Sequence, residues 1–181
     1  MSTHAHPSAE LSARLAPLKL MAFDVDGVLT DGRLHYSTGG VESKAFSTHD
    51  GQGIRLLHEA GFKLAIISAR RSEAVERRAR DLGLHYCYQG VETKIRAFSE
   101  MLGELKLAPA QAGYMGDDLL DIPVLSAAGF AATVPGAAQE VIDRSHYAAT
   151  RAAGDGAVRE VCELILRAQG SYDRIIARYL S

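Results

Sequence analysis

The stretch LMAFDVDGVLTDG, residues 20–32, joins a short apolar run to two aspartates, Asp24 and Asp26. A short apolar run that ends in turn residues is typical of a strand buried on both faces of a parallel sheet. Side chains alternate along a strand, so both carboxylates point the same way if extended backbone lasts through Asp26, and Gly27 then lets the chain turn. The stretch predicts a buried strand with two carboxylates at its end, although an acidic turn alone would look the same.

Short apolar runs and longer amphipathic runs alternate over the rest of the chain. This alternation is typical of an α/β fold, a doubly wound parallel sheet covered by helices on both faces. We expect strands at Leu20 to Val25, Lys63 to Ser68, His85 to Tyr88, Gly113 to Met115, Phe130 to Thr133 and Tyr147 to Ala148. We expect helices at Gly51 to Ala60, Ser72 to Leu82, Glu92 to Leu105, Asp118 to Ala127, Ala137 to Asp143 and Gly156 to Ala168.

Residues 33–46 interrupt this alternation. Their sequence, RLHYSTGGVESKAF, places two short extended runs around a glycine pair, which favours a projecting β-hairpin. No interval between the acidic and polar motifs is long enough for an inserted cap domain, which needs at least ~50 residues. We therefore predict a flexible leader at 1–17, a single domain at 18–170 and a C-terminal tail at 171–181.

Composition excludes several functional classes. Twenty Lys and Arg residues against 22 Asp and Glu give a net charge of −2, so no overall field favours nucleic acid or an anionic membrane. No run reaches the ~18 apolar residues needed to span a bilayer, and the expected location is cytoplasmic. Cys87 and Cys162 lack metal-type spacing, so we expect reduced, buried thiols.

A second acidic segment, GYMGDDLLDIP at residues 113–123, repeats the pattern of the first. It brings Asp117 and Asp118 to a helix start, with Asp121 one turn later, although an aspartate there is often only a helix cap. If the two strand ends are neighbours, each close carboxylate pair repels by roughly 4 kcal/mol at 4 Å and an effective dielectric of 20. A cation must then lie among them, and Mg²⁺ fits because the chain offers no Cys/His set for zinc.

Two further polar side chains occur at predicted strand and helix ends. Ser68 ends the apolar run KLAIIS, and Lys94 follows GVET at a helix start. Taken singly, Ser68 is a helix cap and Lys94 a solvated lysine. The order Asp, Ser, Lys, Asp-Asp favours a shared anion site instead.

This order is where the chain resembles the haloacid dehalogenase superfamily of phosphohydrolases. The superfamily motifs correspond here to Asp24-Val25-Asp26-Gly27, Ser68, Lys94 and Gly116-Asp117-Asp118-Leu119-Leu120-Asp121. The resemblance extends from residue 19 to about residue 168. It departs from the family at Ala69, where a glycine usually follows the motif serine.

The resemblance implies roles for the motif residues. Asp24 is the expected nucleophile that forms an aspartyl-phosphate, and Asp26 is the expected acid and base, kept protonated by a less solvated, more negative setting. Mg²⁺ would be bound by the side chains of Asp24 and Asp117 and by the carbonyl of Asp26. Ser68 and Lys94 would hold the phosphoryl oxygens.

Other residues are expected to support the site. Asp118 and Asp121 would orient the metal, its waters and the motif lysine. Further segments, HDGQGI, SARRSEAVERRARDLGL and YQGVETK among them, resemble a branch of the family that acts on sugar-acid phosphates. Guanidinium groups bind carboxylates through two parallel hydrogen bonds, so Arg70 and Arg78 are candidates for binding the carboxylate of a sugar acid.

The remaining expectations concern binding and assembly. Asp50 and Gly51 open a helix beside the hairpin, where they would meet sugar hydroxyls or form a plain helix cap. Without a cap domain, the hairpin and a neighbouring subunit must close the site, and the resemblance implies a homotetramer. The tail at 171–181 docks on its own domain, reaches a neighbour's site or stays disordered.

Two alternatives stay open at this point. One is a related sugar-acid 9-phosphate phosphatase. The other is a receiver-like phosphoacceptor module, which also combines an acidic metal site with Ser/Thr and Lys. The second aspartate of the DxDG motif favours turnover over storage of the phosphoryl group.

Overall fold

The computed structural model describes residues 7–180 and contains one parallel sheet of six strands with a separate β-hairpin. The strands are β1 Leu20–Phe23, β2 His35–Tyr36, β3 Glu42–Ser43, β4 Lys63–Ser68, β5 Tyr86–Gln89, β6 Ala112–Met115, β7 Phe130–Thr133 and β8 Tyr147–Ala148. The helices are α1 Ala9–Leu15, α2 Thr48–Glu59, α3 Glu73–Asp81, α4 Lys94–Leu105, α5 Ile122–Ala127, α6 Gln139–Ile142, α7 Ala157–Ala168 and α8 Tyr172–Ala177. Short 3₁₀ turns lie at Pro109–Gln111 and Leu119–Asp121.

The strand order decides where a ligand can bind. The order is β5-β4-β1-β6-β7-β8, with all neighbours parallel. The chain moves outward from β1 to β4 and β5, then returns to the other side of β1 as β6. Ligands of open α/β sheets bind at such a reversal, outside the carboxyl ends of the strands. The predicted doubly wound fold is confirmed, and its switch point lies between β1 and β6.

Apolar side chains fill both faces of the sheet, which explains why the strands read as continuous apolar runs. One face packs against α2, α3 and α7, with Ile54, Val75 and Val158 fully or almost fully buried. The other face packs against α4 and α5, with Phe98 and Val124 in its core. The central strands are therefore rigid supports for the side chains at their ends.

The hairpin forms where the glycine pair predicts it. β2 and β3 pair in antiparallel fashion, and Gly40 turns the chain with a φ of +76°. Within residues 7–180, nothing larger than this hairpin is inserted between β1 and α2. The sequence prediction of a hairpin without a cap domain holds for the described part of the chain.

The structure differs from two local expectations, one for the leader and one for Cys87. Residues 9–15 of the predicted loose leader form α1, whose Leu15 is buried and whose last carbonyls accept hydrogen bonds from Gln169. Residues 1–6 lie outside the described residues. Cys162 is buried as expected, but Cys87 is exposed because it lies on the edge strand β5. No helix of the described residues has the length and apolar character to cross a membrane.

Candidate active site

The carboxyl ends of β1 and β6 bring the two acidic segments together. Phe23 pairs with Met115 in the last register position, and the next backbone N–H, that of Asp24, donates to the Met115 carbonyl at 2.9 Å. One carboxylate oxygen from each of Asp24, Asp117 and Asp121 lies within 4.8 Å of the others. The predicted convergence of acidic side chains is confirmed.

A buried lysine lies at the centre of this cluster. Lys94 opens α4, and its Nζ lies 2.9 Å from Oδ2 of Asp24 and 2.7 Å from Oδ1 of Asp121. Burial lowers the pKa of Lys94, but the two carboxylates more than offset burial, so the net pKa is raised. Lys94 is therefore a fixed positive charge beside the nucleophile candidate.

Asp121 is fully buried, and both of its oxygens are occupied by donors. Besides Lys94, Tyr114 donates its hydroxyl to Oδ1 at 2.6 Å. The backbone N–H groups of Asp117 and Asp118 donate to Oδ2 at 3.0 and 3.1 Å. With four donors around it, Asp121 has no free oxygen for a metal, and it instead ties Lys94 to the turn after β6. This agrees with its predicted orienting role.

Asp117 differs from Asp121 because one of its carboxylate oxygens lacks a hydrogen-bond donor within the described chain. Among residues 7–180, no hydrogen-bond donor reaches its buried Oδ1. Burial and the charges of Asp24 and Asp121 raise the pKa of Asp117 to about 7. Burial and Asp121 likewise raise the pKa of Asp24 to about 6, although Lys94 acts in the opposite direction.

These observations test whether a divalent cation fits the site. A buried carboxylate oxygen without a donor is costly unless a cation or water meets it. Hard oxygen donors of this kind suit Mg²⁺, and a cation would restore the ionised form of both carboxylates. Asp24 and Asp117 therefore supply oxygen ligands for a magnesium ion, and its positive charge would balance the repulsion between their carboxylates.

Gly27 leaves room for this arrangement. Its φ is +88°, and a Cβ atom added there would lie 2.0 Å from Oδ2 of Asp117. Only glycine both adopts this conformation readily and lets the two acidic loops approach so closely.

Asp26 lies in surroundings that differ from the expectation. Extended backbone ends at Phe23, and the carbonyl of Val25 accepts hydrogen bonds from three following N–H groups in a tight turn. The carboxylate of Asp26 then contacts Lys44 of the hairpin, and its Oδ2 lies 3.6 Å from Nε of Arg70. The prediction of a more negative setting for Asp26 was wrong, because the hairpin and the loop after β4 each bring a cation to it.

The hairpin adds two charged residues that the sequence reasoning missed. Lys44 lies 3.2 Å from Oε1 of Glu42, and Arg70 donates to Oε2 of Glu42 at 2.5 Å and to the hydroxyl of Tyr36 at 3.3 Å. The hydrogen bond from Arg70 is the largest cause that holds the pKa of Glu42 below its ordinary value. The alternating charges of Glu42 and Lys44 in VESKAF were the available sequence signal of a charged role. Their partners, Arg70 and Asp26, become evident only from the position of the folded hairpin.

Ser68 ends β4 as predicted and is buried beside the site. Its Oγ accepts a hydrogen bond from the backbone N–H of Arg70 at 3.3 Å. Lys106 is the only non-glycine residue of the described chain with a positive φ, so Ala69 carries no left-handed strain. The substitution of the usual glycine is therefore compatible with this loop.

Three of the other candidates have structural partners. The buried carboxylate of Asp50 accepts from the N–H groups of Gly156 and Arg159 at 3.2 and 2.8 Å, which caps α7. Of the two interpretations given for Asp50, the structure therefore favours a helix cap over contact with sugar hydroxyls, although the capped helix is α7. Arg78 donates to the carbonyl of Ser47 at 3.0 Å, and Gly51 makes room for its guanidinium. Neither Arg78 nor Gly51 contacts the acidic cluster.

Asp118 is exposed and caps the turn that follows it. Its Oδ1 accepts from the N–H of Leu119 at 2.7 Å. Its backbone N–H, rather than its side chain, contacts Asp121. The structure therefore favours the helix-cap interpretation of this side chain.

The C-terminal tail packs on its own domain. Ile175 of α8 is buried, and the ring of Tyr172 lies 3.6 Å from the guanidinium of Arg167. Tyr179 donates its hydroxyl to Glu59 of α2 at 3.0 Å. Of the two predicted positions of the tail, this is the one found within a single chain.

Comparisons with known proteins agree with this geometry. A scan against protein-family models gave no match. The chain is 43% identical over 166 residues to 3-deoxy-D-manno-octulosonate 8-phosphate phosphatase KdsC of Escherichia coli (strain B / BL21-DE3), covering 92% of this chain and 88% of that protein. Its structure resembles the phosphatase of that name from Moraxella catarrhalis, solved in complex with a magnesium ion, a phosphate ion and KDO. The TM-score is 0.93 at 40% identity, covering 96% of this chain and 99% of that one.

A second solved structure is the cobalt-bound form of deoxy-D-mannose-octulosonate 8-phosphate phosphatase (YrbI) from Haemophilus influenzae. Its TM-score is 0.88 at 34% identity, and the alignment covers 93% of this chain and 99% of that chain. Sequence and structure together show that the chain belongs to the 3-deoxy-D-manno-octulosonate 8-phosphate phosphatase family of the haloacid dehalogenase superfamily.

Proposed function

We propose that this chain is a magnesium-dependent phosphomonoester hydrolase that releases phosphate from 3-deoxy-D-manno-octulosonate 8-phosphate, in lipopolysaccharide sugar biosynthesis. The observation that carries the proposal is the meeting of Asp24, Lys94 and Asp117 at the switch point of the sheet. The same chain is 43% identical to a relative named for this activity.

Asp24 is the proposed nucleophile. One of its carboxylate oxygens forms a bond to phosphorus while the bond from phosphorus to the sugar oxygen breaks, which leaves an aspartyl-phosphate and a sugar hydroxyl. Lys94 holds Oδ2 of Asp24 at 2.9 Å, which restrains rotation of the carboxylate that would attack phosphorus. Lys94 and Ser68 would also face the phosphoryl oxygens as negative charge spreads over them.

Asp24, Asp117 and the backbone carbonyl of Asp26 would hold the magnesium ion. When bound, the ion supplies positive charge that lets a carboxylate approach a phosphate dianion. The unpartnered Oδ1 of Asp117 supports this assignment.

Asp26 is the proposed acid and base. In the second step, hydrolysis of the aspartyl-phosphate, it accepts a proton from the attacking water, and the structure has it as a hydrogen-bond acceptor from Lys44. In the first step it must give a proton to the leaving sugar oxygen, so it has to turn away from Lys44. Movement of the hairpin on substrate binding would permit this turn.

Arg70 is the proposed ligand of the sugar-acid carboxylate, since 44% of its side chain is exposed at the mouth of the site.

The homotetramer and the cytoplasmic location stay predictions from the sequence. A tetramer would also cover three apolar side chains that the hairpin exposes, Leu34, Tyr36 and Val41.

The test is phosphate release from a panel that contains the octulosonate 8-phosphate, a sugar-acid 9-phosphate and a neutral sugar phosphate, with Mg²⁺ present. We expect the octulosonate ester to react fastest and Asp24→Asn to reduce release to background without loss of fold. Asp143→Asn, an exposed carboxylate at the end of α6, is the matched control. Equal rates for the neutral ester would contradict the substrate assignment, whereas a long-lived aspartyl-phosphate without release would favour a phosphoacceptor module.

A further inference from the structure

Four charged side chains form a closed ring at the mouth of the site. Lys44 contacts Asp26 and lies 3.2 Å from Oε1 of Glu42. Arg70 contacts Oε2 of Glu42 at 2.5 Å and lies 3.6 Å from Oδ2 of Asp26. Acid and base alternate around the ring, and two of its members belong to the hairpin.

The ring occupies the edge of Arg70 that a ligand would need. A guanidinium binds a carboxylate most strongly through two parallel N–H donors. In Arg70, Nη2 already donates to Glu42 and Tyr36, and Nε faces Asp26. A substrate carboxylate therefore cannot take the two-donor position while Glu42 stays where it is.

We propose that Glu42 is an internal competitor for the substrate carboxylate: it occupies Arg70 in the free protein and is displaced when a sugar acid binds. This inference rests on the proposed function, because it names the substrate's carboxylate as the displacing group. Displacement also weakens the hold of Arg70 on the hairpin, since it removes the shorter of the two hydrogen bonds and leaves the one to Tyr36.

The exchange makes Glu42 a specificity-determining residue. A sugar acid replaces one charge-assisted hydrogen bond to Arg70 with another, so the cost of displacing Glu42 is largely recovered. A neutral sugar phosphate that needs the same space breaks the pair with Glu42 and offers no carboxylate in return. Inorganic phosphate, which would bind at Lys94 and the acidic cluster, leaves the pair intact.

Exposure is consistent with an exchangeable contact rather than a buried support. Arg70 is 44% exposed and the side chain of Glu42 is 17% exposed, with Oε1 of Glu42 buried against Lys44, so a ligand would reach the pair from the side of Arg70. By comparison, the ion pair of Lys94 with Asp121 is 4% and 0% exposed. An ion pair near the surface contributes little stability and can be replaced at small cost.

The experiment measures binding of the free sugar acid 3-deoxy-D-manno-octulosonate and, separately, of inorganic phosphate, by calorimetry with Mg²⁺ present. The proteins are the wild type, Glu42→Gln and Glu42→Ala. Glu100→Gln is the control, because Glu100 also accepts from an arginine, Arg96, in an exposed pair on α4. Hydrolysis of the octulosonate 8-phosphate is measured on the same samples.

Removing the competitor should tighten binding of the sugar acid by about two- to five-fold, the worth of one partly exposed ion pair. Both Glu42 variants should show this gain, with phosphate binding and the Glu100→Gln control unchanged. Weaker or unchanged sugar-acid binding in the Glu42 variants, with hydrolysis intact, would overturn the inference alone. A wild type that neither binds the sugar acid nor hydrolyses its phosphate would refute the proposed function together with the inference.

Discussion

Replacing Lys94 with methionine should destabilise the folded protein by about 3–5 kcal/mol. Methionine fills similar volume but removes the charge that lies 2.9 Å from Asp24 and 2.7 Å from Asp121. Each lost hydrogen bond to a charged group is worth about 1.5–3 kcal/mol, and two such bonds sum to the range measured for breaking a buried ion pair. The two carboxylates would be left together in a site where Asp121 is fully buried.

The assay is urea unfolding at one fixed protein concentration with excess EDTA, so that neither metal nor assembly contributes differently between variants. Asp121→Asn and the double variant complete a thermodynamic cycle. Removing the charge of Asp121 relieves part of the repulsion that Lys94→Met creates. The double variant should therefore lose at least about 1 kcal/mol less than the sum of the single losses.

Lys63→Met, at the exposed start of β4, is the control and should change the free energy of unfolding by no more than about 0.5 kcal/mol. A loss below about 1 kcal/mol for Lys94→Met, or a cycle additive within about 0.5 kcal/mol, would refute the argument. In that case Lys94 would be solvated in solution, and its fixed position beside Asp24 could not be used to explain catalysis.

Three further predictions follow from the site. The raised pKa values of Asp24 and Asp117 mean that the metal-free folded state retains protons as pH rises from about 4 to about 7, so its stability falls over that window. Mg²⁺ replaces those protons, so the rise in Tm that it causes should be larger at pH 8 than at pH 5; an equal rise would contradict this. Tyr114→Phe removes one donor to Asp121 and should cost about 1–2 kcal/mol on urea unfolding, with an unchanged value as the contrary result. Asp50→Ala removes the cap of α7 and should cost about 0.5–2 kcal/mol without changing KM, whereas a raised KM would restore a binding role.

The sheet and its central site were predictable because short-range patterns decide them. A buried strand followed by an aspartate places that carboxylate at a known edge of a parallel sheet. Once β1 and β6 are neighbours, Asp24 and Asp117 must be close. Lys94 and Ser68 were found by the same rule, since both lie at the ends of regular elements.

The errors arose where a side chain's partner lies far along the chain. Asp50 looked like a ligand at a helix start, but it caps α7 through contacts that no local pattern indicates. Asp26 was expected in a less solvated, more negative setting because its implied role as an acid requires a bound proton, and no local pattern shows that the hairpin brings Lys44 to it. Lys44 and Glu42 were missed for the same reason. Tyr114 did carry a signal, since a buried hydroxyl inside a strand must find an acceptor.

The pairing of β1 with β6 has a consequence for how the protein acquires its activity. β4, β5 and three helices are made between these two strands, so the pairing closes a long loop in the chain. Until that loop closes, Asp24 and Asp117 lie on separate pieces, and neither piece alone brings together the two carboxylates that would hold a divalent ion. The appearance of tight cation binding during refolding should therefore mark the moment at which the two halves of the sheet join.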